Sequence, residues 1–506
     1  MTAGGEGALV FIGFMGAGKT TGARAAAAAL GVRAMDTDRA LEERLGTSIE
    51  DYFASHGERA FREAEEDLVA EFLEDPPAPV LSLGGGAIAS SRVRDLLRRH
   101  TVVLLDVDEP TAWRRAGGKK RPLARDRERF AALHAERSPM YESLADAILL
   151  DGAADTIRAA SAALRDIPPG VKVVWAIAGG AQYPVYVGDV LDGQFWPVPG
   201  RRFVISDETV ASLHGSRLPT AYARFAMEPG EGAKTLATAE RLLRGLAEAG
   251  MDHDDHVVAL GGGVVGDVAG FCAAVYQRGV GVVQVPTSLV AQVDSAYGGK
   301  TGVDLPEGKN YVGAYHQPRA VLADPRTLAS LPAAELAAGW AEVIKTALIA
   351  GGGLWERVRR GHPNVDRELI LACARTKLGV VASDERDAGR RQVLNLGHTI
   401  GHAIETATAY RRYRHGEAVG LGLLAALTLS AQPGLRTEVA DLLAERSLPV
   451  ELDPAVDRTA VLAAVQRDKK RRAGRVGFVL VEAPGKVQTG VAMAESDIRA
   501  ALSELR

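Results

Sequence analysis

The chain is poor in everything that would place it outside an ordinary soluble enzyme class. It has two cysteines in 506 residues, Cys272 and Cys373, far apart and in no metal-ligand spacing. That excludes a disulfide framework and a cysteine-built metal site, and fits a reducing compartment. Charge of either sign is scarce in excess: 60 Lys and Arg against 64 Asp and Glu leave a net −4, which gives no reason to expect nucleic acid as a partner. No apolar run is long enough to span a bilayer. The N-terminus reaches a strand pattern within a few residues, leaving no room for a charged n-region and a cleavable apolar stretch. A cytoplasmic protein acting on small molecules, without nucleic-acid or membrane partners, is expected. What is present is a 47% hydrophobic, 25% charged composition, as in globular proteins. The length exceeds what one core holds, so two or three domains are expected.

Glycine, by contrast, is abundant and placed. The opening is glycine-rich. Ala8 to Gly13 then reads as a buried strand and Lys19 to Leu30 as a helix, with further strand-length apolar runs at Val80–Leu83 and Val102–Val107 and helical periodicity at Ile49–Leu73. Alternating strands and helices predict a parallel sheet covered on both faces. Asp166-Ile167-Pro168-Pro169-Gly170 interrupts both periodicities and reads as a linker. A second α/β pattern follows, with strands expected at 171–176, 183–187, 203–206, 257–260 and 282–285. From about Pro332 the pattern is almost entirely helical. The expected fold is therefore α/β. A P-loop domain over 1–165 and a linker over 166–170 lead into a second unit with an α/β half over 171–331 and a helical half over 332–506, its active site between those halves.

Gly13-Phe14-Met15-Gly16-Ala17-Gly18-Lys19-Thr20-Thr21 has the spacing G-x-x-x-x-G-K-T between a strand and a helix. Backbone N–H groups of such a loop cradle phosphates, Lys19 reaches the β- and γ-phosphates, and Thr20 offers a hydroxyl to Mg²⁺. Asp36-Thr37-Asp38 follows the next apolar stretch. Two alternate carboxylates can divide the work, one in the Mg²⁺ shell and one accepting a proton from an attacking hydroxyl. An Asp pair alone is more often a solvated turn, and Arg62, Arg121 and Arg137 alone would read as surface; the combination carries the inference.

These pieces, with Gly57 to Arg62, the Gly84-Gly85-Gly86 turn, Arg121-Pro122-Leu123 and Arg137 ahead of Pro139-Met140-Tyr141, resemble shikimate kinase over the first 165 residues. The resemblance implies that Asp38 contacts the substrate hydroxyls as the base and Asp36 helps organise Mg²⁺. It implies that Arg62 and Arg137 clamp the shikimate carboxylate, a task suited to the guanidinium fork. Gly84, Gly85 and Gly86 let backbone approach the ring, and Arg121 rides on a lid closing over the nucleotide. The lid segment from Arg114 to Lys120 is short and basic.

The second glycine constellation is Gly261-Gly262-Gly263-Val264-Val265-Gly266-Asp267, after an apolar strand. Thr287-Ser288, Asp294, Gly298-Gly299-Lys300 and Gly308-Lys309-Asn310 follow, and Lys300 and Lys309 flanked by glycines suit an anionic substrate. Glu342 and Lys345 lie one helical turn apart and share a face. His398 and His402 are at i and i+4, and His415 follows, so three of eleven histidines fall within eighteen residues. A lone helical His is usually structural. This cluster with a carboxylate reads as a metal site of one Glu and two His with an open position, and spacing does not choose which two histidines bind.

From Val171 to the C-terminus the chain resembles 3-dehydroquinate synthase. The resemblance implies that Glu342, His398 and His415 bind Zn²⁺ (or Co²⁺), with His402 in the substrate site. It implies NAD⁺ contacts from Asp207, Glu231, Lys234, Gly262, Gly263, Val264, Asp267, Thr287, Ser288 and Lys309. Asp294, Lys300, Asn310, Lys345, Lys377, Arg391 and one of Lys469 and Lys470 line the substrate site. Arg278 reaches the substrate phosphate across a subunit boundary, so a homodimer is implied. Thr209 departs from the asparagine frequent near the adenosine ribose.

The implied activities are ATP- and Mg²⁺-dependent phosphorylation of shikimate, and NAD⁺- and metal-dependent conversion of 3-deoxy-arabino-heptulosonate 7-phosphate to 3-dehydroquinate. In the second reaction a transient oxidation acidifies the neighbouring C–H, phosphate leaves, the hydride returns, and an aldol closure forms the ring. Two alternatives stand beside this reading: a related sugar-phosphate cyclase in the C-terminal half, and a non-catalytic nucleotide-binding module in the N-terminal half.

Overall fold

The computed structural model describes residues 7–116, 126–361, 364–471 and 477–506, and divides into two compact units. The first comprises 1–176 and 182–186. Its strands are β1 (Leu9–Ile12), β2 (Ala34–Asp36), β3 (Val80–Ser82), β4 (Thr101–Leu105), β5 (Ala147–Leu149), β6 (Lys172–Ala178) and β7 (Ala181–Val187). They lie in the order β2-β3-β1-β4-β5-β6-β7, with pairing parallel from β2 through β6. The expected helix at Lys19–Leu30 is present over those residues, its first and last turns bounded by Gly18 and Gly31, both left-handed. The expected Ile49 helix runs to Glu74, but Gly57, at φ 82°, breaks it in two. Ser48 caps its start by accepting from the Asp51 N–H.

The strand residues 172–176 and 182–186, which the sequence pattern gave to the second enzyme, cluster with the first unit, while 177–181 cluster with the second. The reason is pairing: Ala147 to Leu149 on β5 run in register beside Val173 to Trp175 on β6. The Pro168-Pro169-Gly170 break thus separates a helix, Ala154–Arg165, from a strand of the same compact unit.

The second unit has a parallel sheet of β8 (Arg202–Asp207), β9 (Ala223–Met227), β10 (His256–Gly261), β11 (Gly281–Pro286) and β14 (Ala320–Ala323), ordered β14-β11-β10-β8-β9. Between β11 and β14 the chain makes an antiparallel hairpin, β12 (Lys300–Leu305) and β13 (Gly308–Tyr315). β10 and β11 are buried throughout, as continuous apolar strands of parallel sheets are. Phe203, Ile205, Val257, Ala259 and Val282 form one core with Val268, Phe271 and Leu242 of the covering helices.

Helices dominate the remainder, as the sequence predicts, with one correction: Gly477–Ala483 (β15) and Lys486–Ala492 (β16) form an antiparallel hairpin. The short apolar run Phe478–Val481, followed by the Pro484-Gly485 turn, is a strand signal that the helical reading of 332–506 passed over. The helices that matter for chemistry are Ala333–Ala350, Arg367–Ser383, His398–Ala407 and His415–Leu429. His398 opens its helix because Gly397, at φ 77°, turns the chain into it. His415 opens the next, where Glu417 accepts from the Arg414 N–H at 2.7 Å. The two helices pack tightly enough that a Cβ at Gly422 would collide with the Gly397 carbonyl. No helix of the described residues is long and apolar enough to cross a membrane.

Gly422→Ala is therefore expected to cost about 1–3 kcal/mol, as overpacking does. The check is calorimetry of the full chain, where the transition of the second unit should fall in temperature while that of the first is unchanged.

Candidate active sites

In the first unit, the loop after β1 turns at Gly13 (φ 146°), Gly16 (φ 82°) and Gly18 (φ 93°), a run only glycine adopts without strain. The turns present the N-terminus of the Lys19 helix. Lys19 Nζ donates to the Gly13 carbonyl at 3.0 Å and the Phe14 carbonyl at 3.3 Å, which curls the ammonium over the loop. Thr20 Oγ1 donates to Asp36 Oδ2 at 2.5 Å, bringing together the two side chains expected at a magnesium ion. Ala17 and Gly18 complete the loop, and Thr21 lies in the first helical turn, exposed.

Asp36 ends β2 and caps the next helix, so Asp38 lies in that helix's first turn. Both Asp38 and Glu65 press on Gly84, where a Cβ would sit 2.5 Å from Asp38 Oδ1 and 2.6 Å from Glu65 Oε1. A Cβ at Gly86 would strike the Arg62 guanidinium, and one at Gly85 would lie 3.6 Å from Lys19 Nζ. Arg137 donates to the Gly85 carbonyl at 3.3 Å and Tyr141 to the same oxygen at 2.5 Å. The Gly84–Gly86 turn is thus ringed by two carboxylates, two guanidinium groups and the phosphate-loop lysine. Arg121 lies outside the described residues.

Sequence reading missed Glu65. It is 5% exposed and accepts from Arg62 Nη1 at 2.5 Å. Burial pushes its carboxyl up, against the pull of Arg62. Its position one turn after Arg62 was the available signal.

In the second unit, strand ends bring the expected dinucleotide residues together. Asp207 ends β8 and caps the following helix through the Val210 N–H at 2.8 Å. Gly262, Gly263 and Val264 begin the helix after β10, and Ser288 after β11 packs on Gly262. The Thr287 N–H donates to the Gly261 carbonyl. Lys234, buried, bridges Asp267 at 2.6 Å and Asn310 at 2.5 Å. Asn310 itself has φ 58°. Lys309 pairs with Glu231 at 3.0 Å.

Opposite these, the helical half presents a buried cluster of charge. Glu342 Oε2 is 2.5 Å from Lys345 Nζ, and Lys345 Nζ is 3.5 Å from Asp294 Oδ2. Lys377 contacts the same Asp294 carboxylate and donates to its backbone carbonyl at 2.7 Å. Burial disfavours the charge on Asp294, but Lys345 and Lys377 hold its carboxyl at about 2. Lys345 is raised, since Asp294 and Glu342 outweigh its burial, whereas burial pulls Lys377 down despite Asp294. Lys300 pairs with Asp387 at 2.7 Å. Arg391 is 2% exposed and donates to the carbonyls of Gly298 and Glu385, so it braces two loops of the site. Arg278 lies in an exposed turn with φ 70°, next to Gln277 at φ 45°. Lys469 and Lys470 end the helix Arg458–Arg471, and their side chains lie outside the described residues.

The metal-ligand candidates converge. His398, His402 and His415 bring ring nitrogens within 4.8 Å of one another. Glu342 Oε1 lies 3.4 Å from His398 Nε2 and 3.4 Å from His415 Nε2, is buried, and completes no well-formed hydrogen bond among the described residues. The Nδ1 of His398 faces the Leu396 carbonyl at 3.1 Å, which leaves its Nε2 turned to the cluster. A buried carboxylate oxygen without a donor, facing two imidazole nitrogens, fits a divalent cation. Burial works against ionised Glu342, yet Lys345 and His398 hold its carboxyl well below the usual range. His402 is the exposed member of the cluster, and desolvation of its ring, then His398 and His415, lowers its pKa to about 3. For His415, burial is outweighed by Glu342 and Glu405, which push it up to about 10. The two carboxylates thus favour a positive charge at this point, whether a proton or a metal ion supplies it.

Family models match three consecutive parts of the chain: shikimate kinase over residues 15–167, 3-dehydroquinate synthase N-terminal over 224–338, and 3-dehydroquinate synthase C-terminal over 339–471. A 3-dehydroquinate synthase of Halorhodospira halophila is 44% identical over 335 residues, 62% of this chain and 94% of that protein. The chain belongs to the 3-dehydroquinate synthase family. The enzyme of Symbiobacterium thermophilum is 41% identical over 65% of this chain and 99% of its own length. A solved 2-epi-5-epi-valiolone synthase from Streptomyces hygroscopicus, with NAD⁺ and Zn²⁺ bound, is 28% identical with TM-score 0.59, covering 64% of this chain and 97% of its own. A 2-deoxy-scyllo-inosose synthase solved with carbaglucose-6-phosphate, NAD⁺ and Co²⁺ is 26% identical with TM-score 0.58, covering 66% and 100%. With the kinase segment ahead of it, the polypeptide unites a shikimate kinase and a 3-dehydroquinate synthase, two enzymes of the shikimate pathway.

In the synthase half, Asp294→Asn removes the negative charge shared by two buried ammonium groups. Breaking a buried pair costs about 3–5 kcal/mol. Urea denaturation of the full chain should show the synthase transition at clearly lower midpoint, with the kinase transition unmoved.

Proposed function

We propose that the N-terminal half transfers the γ-phosphoryl group of ATP to the 3-hydroxyl of shikimate. The ring of groups around Gly84–Gly86 carries this reading. Lys19 and the loop N–H groups would hold the phosphates, and Thr20 with Asp36 the Mg²⁺ ion. Asp38, two residues after Asp36 and against Gly84, would take the proton of the attacking hydroxyl. Arg62 and Arg137 approach the same turn from two helices and would grip the shikimate carboxylate. Glu65 keeps the Arg62 fork oriented.

We further propose that the C-terminal half converts 3-deoxy-arabino-heptulosonate 7-phosphate to 3-dehydroquinate and phosphate. One observation carries it: the unsatisfied Glu342 oxygen faces His398 and His415 beside the Asp294–Lys345–Lys377 cluster. Glu342, His398 and His415 would hold Zn²⁺ or Co²⁺, and Asp207, Lys234, Asp267 and the Gly262–Gly263 helix start would hold NAD⁺. Bound there, the dinucleotide supplies a reversible hydride acceptor and the cation polarises the carbinol. The chain's own residues bind and orient. Lys300, Lys345, Lys377 and Arg391 supply positive charge for an anionic substrate and leaving phosphate. His402 would line the substrate site beside the metal ligands. Closer identity to dehydroquinate synthases, 44%, than to the two other cyclases, 28% and 26%, favours this substrate over other sugar phosphates.

Arg278, exposed at a strained turn, would complete the site of a second copy, making a homodimer through the synthase half. The two free cysteines are both buried, and burial pushes each thiol up to about 12, as suits inert thiols in a cytoplasmic protein.

Two measurements test the assignment. Purified full chain with trace NAD⁺ should release phosphate from the heptulosonate phosphate, form dehydroquinate without net NADH, and stop after metal chelation. No release from metal- and NAD⁺-loaded protein would sink the synthase reading. Asp38→Asn should keep ATP binding while shikimate phosphorylation falls by about a hundredfold or more, the range for a lost general base. An unmodified chain that transfers no phosphoryl group would instead mark a nucleotide-binding module.

A further inference from the structure

Glu405 belongs to neither the proposed ligand set nor the substrate set, yet it touches both sides of the cleft. It lies on the helix His398–Ala407, seven residues after His398, and is 2% exposed. Its two carboxylate oxygens face different groups. Oε2 is 3.4 Å from His415 Nδ1, and Oε1 is 3.6 Å from Lys309 Nζ. His415 presents its other nitrogen, Nε2, to Glu342. Lys309 comes from β13 in the α/β half, where it also pairs with Glu231 at 3.0 Å, and its ammonium sits 4.6 Å from the centre of the Tyr410 ring. A continuous line of charged groups therefore runs Glu231–Lys309–Glu405–His415–Glu342, from the dinucleotide side to the metal side.

Each link has a physical consequence. A carboxylate at Nδ1 fixes the His415 tautomer with its proton on Nδ1, leaving the Nε2 lone pair for a cation and making that nitrogen more basic. The other oxygen restrains Lys309, and with it a β-hairpin of the opposite half. A side chain that restrains both groups biases each by the state of the other. Such coupling is reciprocal for binding free energies.

Building on the metal and NAD⁺ sites proposed above, we propose that Glu405 is a positioning residue that orients His415 for the metal ion and, through Lys309, couples metal binding to dinucleotide binding.

The test is equilibrium binding on the full chain. Zn²⁺ affinity is read by competition with a chromophoric chelator, with and without saturating NAD⁺. NAD⁺ affinity is read by calorimetry, with and without Zn²⁺. In the unmodified chain each ligand should tighten the other by an equal factor of about five or more. Glu405→Gln should weaken Zn²⁺ about 10–100-fold, the usual loss for a partner of a ligating histidine, and bring the mutual factor near one. Lys309→Met should leave Zn²⁺ affinity alone within about threefold of the unmodified chain, well short of that loss, and also abolish the mutual factor. The Co²⁺ absorption spectrum should shift in Glu405→Gln and stay unchanged in Lys309→Met. Zn²⁺ binding by Glu405→Gln equal to the unmodified chain overturns the positioning role, and a mutual factor that survives in both variants overturns the coupling. An unmodified chain that binds neither Zn²⁺ nor NAD⁺ overturns the reading of the site itself, a result distinct from either.

Discussion

The synthase half depends on keeping several charges buried together. Glu342 and Lys345 are almost wholly inaccessible, Lys377 nearly so, and Asp294 joins them from the α/β half. An isolated buried ion would be neutralised or expelled. These persist because each lysine meets a carboxylate and the remaining Glu342 oxygen meets two imidazoles. The arrangement is costly without a ligand, and in the proposed function a cation and an anionic substrate would complete it. Stability and chemistry therefore rest on the same contacts, and the helices that carry them must approach closely.

That requirement explains the glycines of the helical half. Gly397, Gly401 and Gly422 let the His398 and His415 helices meet backbone to backbone, which holds two imidazoles about one cation's width from Glu342. Asp294, before β12, reaches across to Lys345 and Lys377, so the α/β half and the helical half share one charged centre. The kinase half solves an analogous problem with less burial. There the glycine turn after β3 leaves space between Asp38, Glu65 and Arg62, while the glycines of the phosphate loop turn backbone N–H groups outward as an anion site requires. The two halves thus use glycine for opposite ends: close packing of helices in one, exposure of backbone to ligand in the other.

Some of this was legible in the chain. The phosphate-loop spacing, the Asp36–Asp38 pair and the histidine cluster are local patterns, and their side chains lie where local geometry puts them. Glu342 and Lys345 share a helix face for the same reason. Glu65 and Glu405 were passed over although each follows a chosen residue by helical spacing, Glu65 after Arg62 and Glu405 after His402. Periodicity named the face but not which acid on it was buried. The β15–β16 hairpin was passed over because its short strands declare themselves only through pairing with each other.

The amino-acid sequence by itself determined the two families, the parallel α/β character of both units, and the residue types that can handle phosphate, dinucleotide and metal. Those properties follow from short-range spacing and hydrophobic period. Tertiary structure alone decided which charges meet: Asp294 with Lys345 and Lys377, Lys234 with Asn310, Lys309 with Glu405, and Arg391 against Gly298. These pairs join residues tens of positions apart, and their strength comes from burial, which no local pattern encodes.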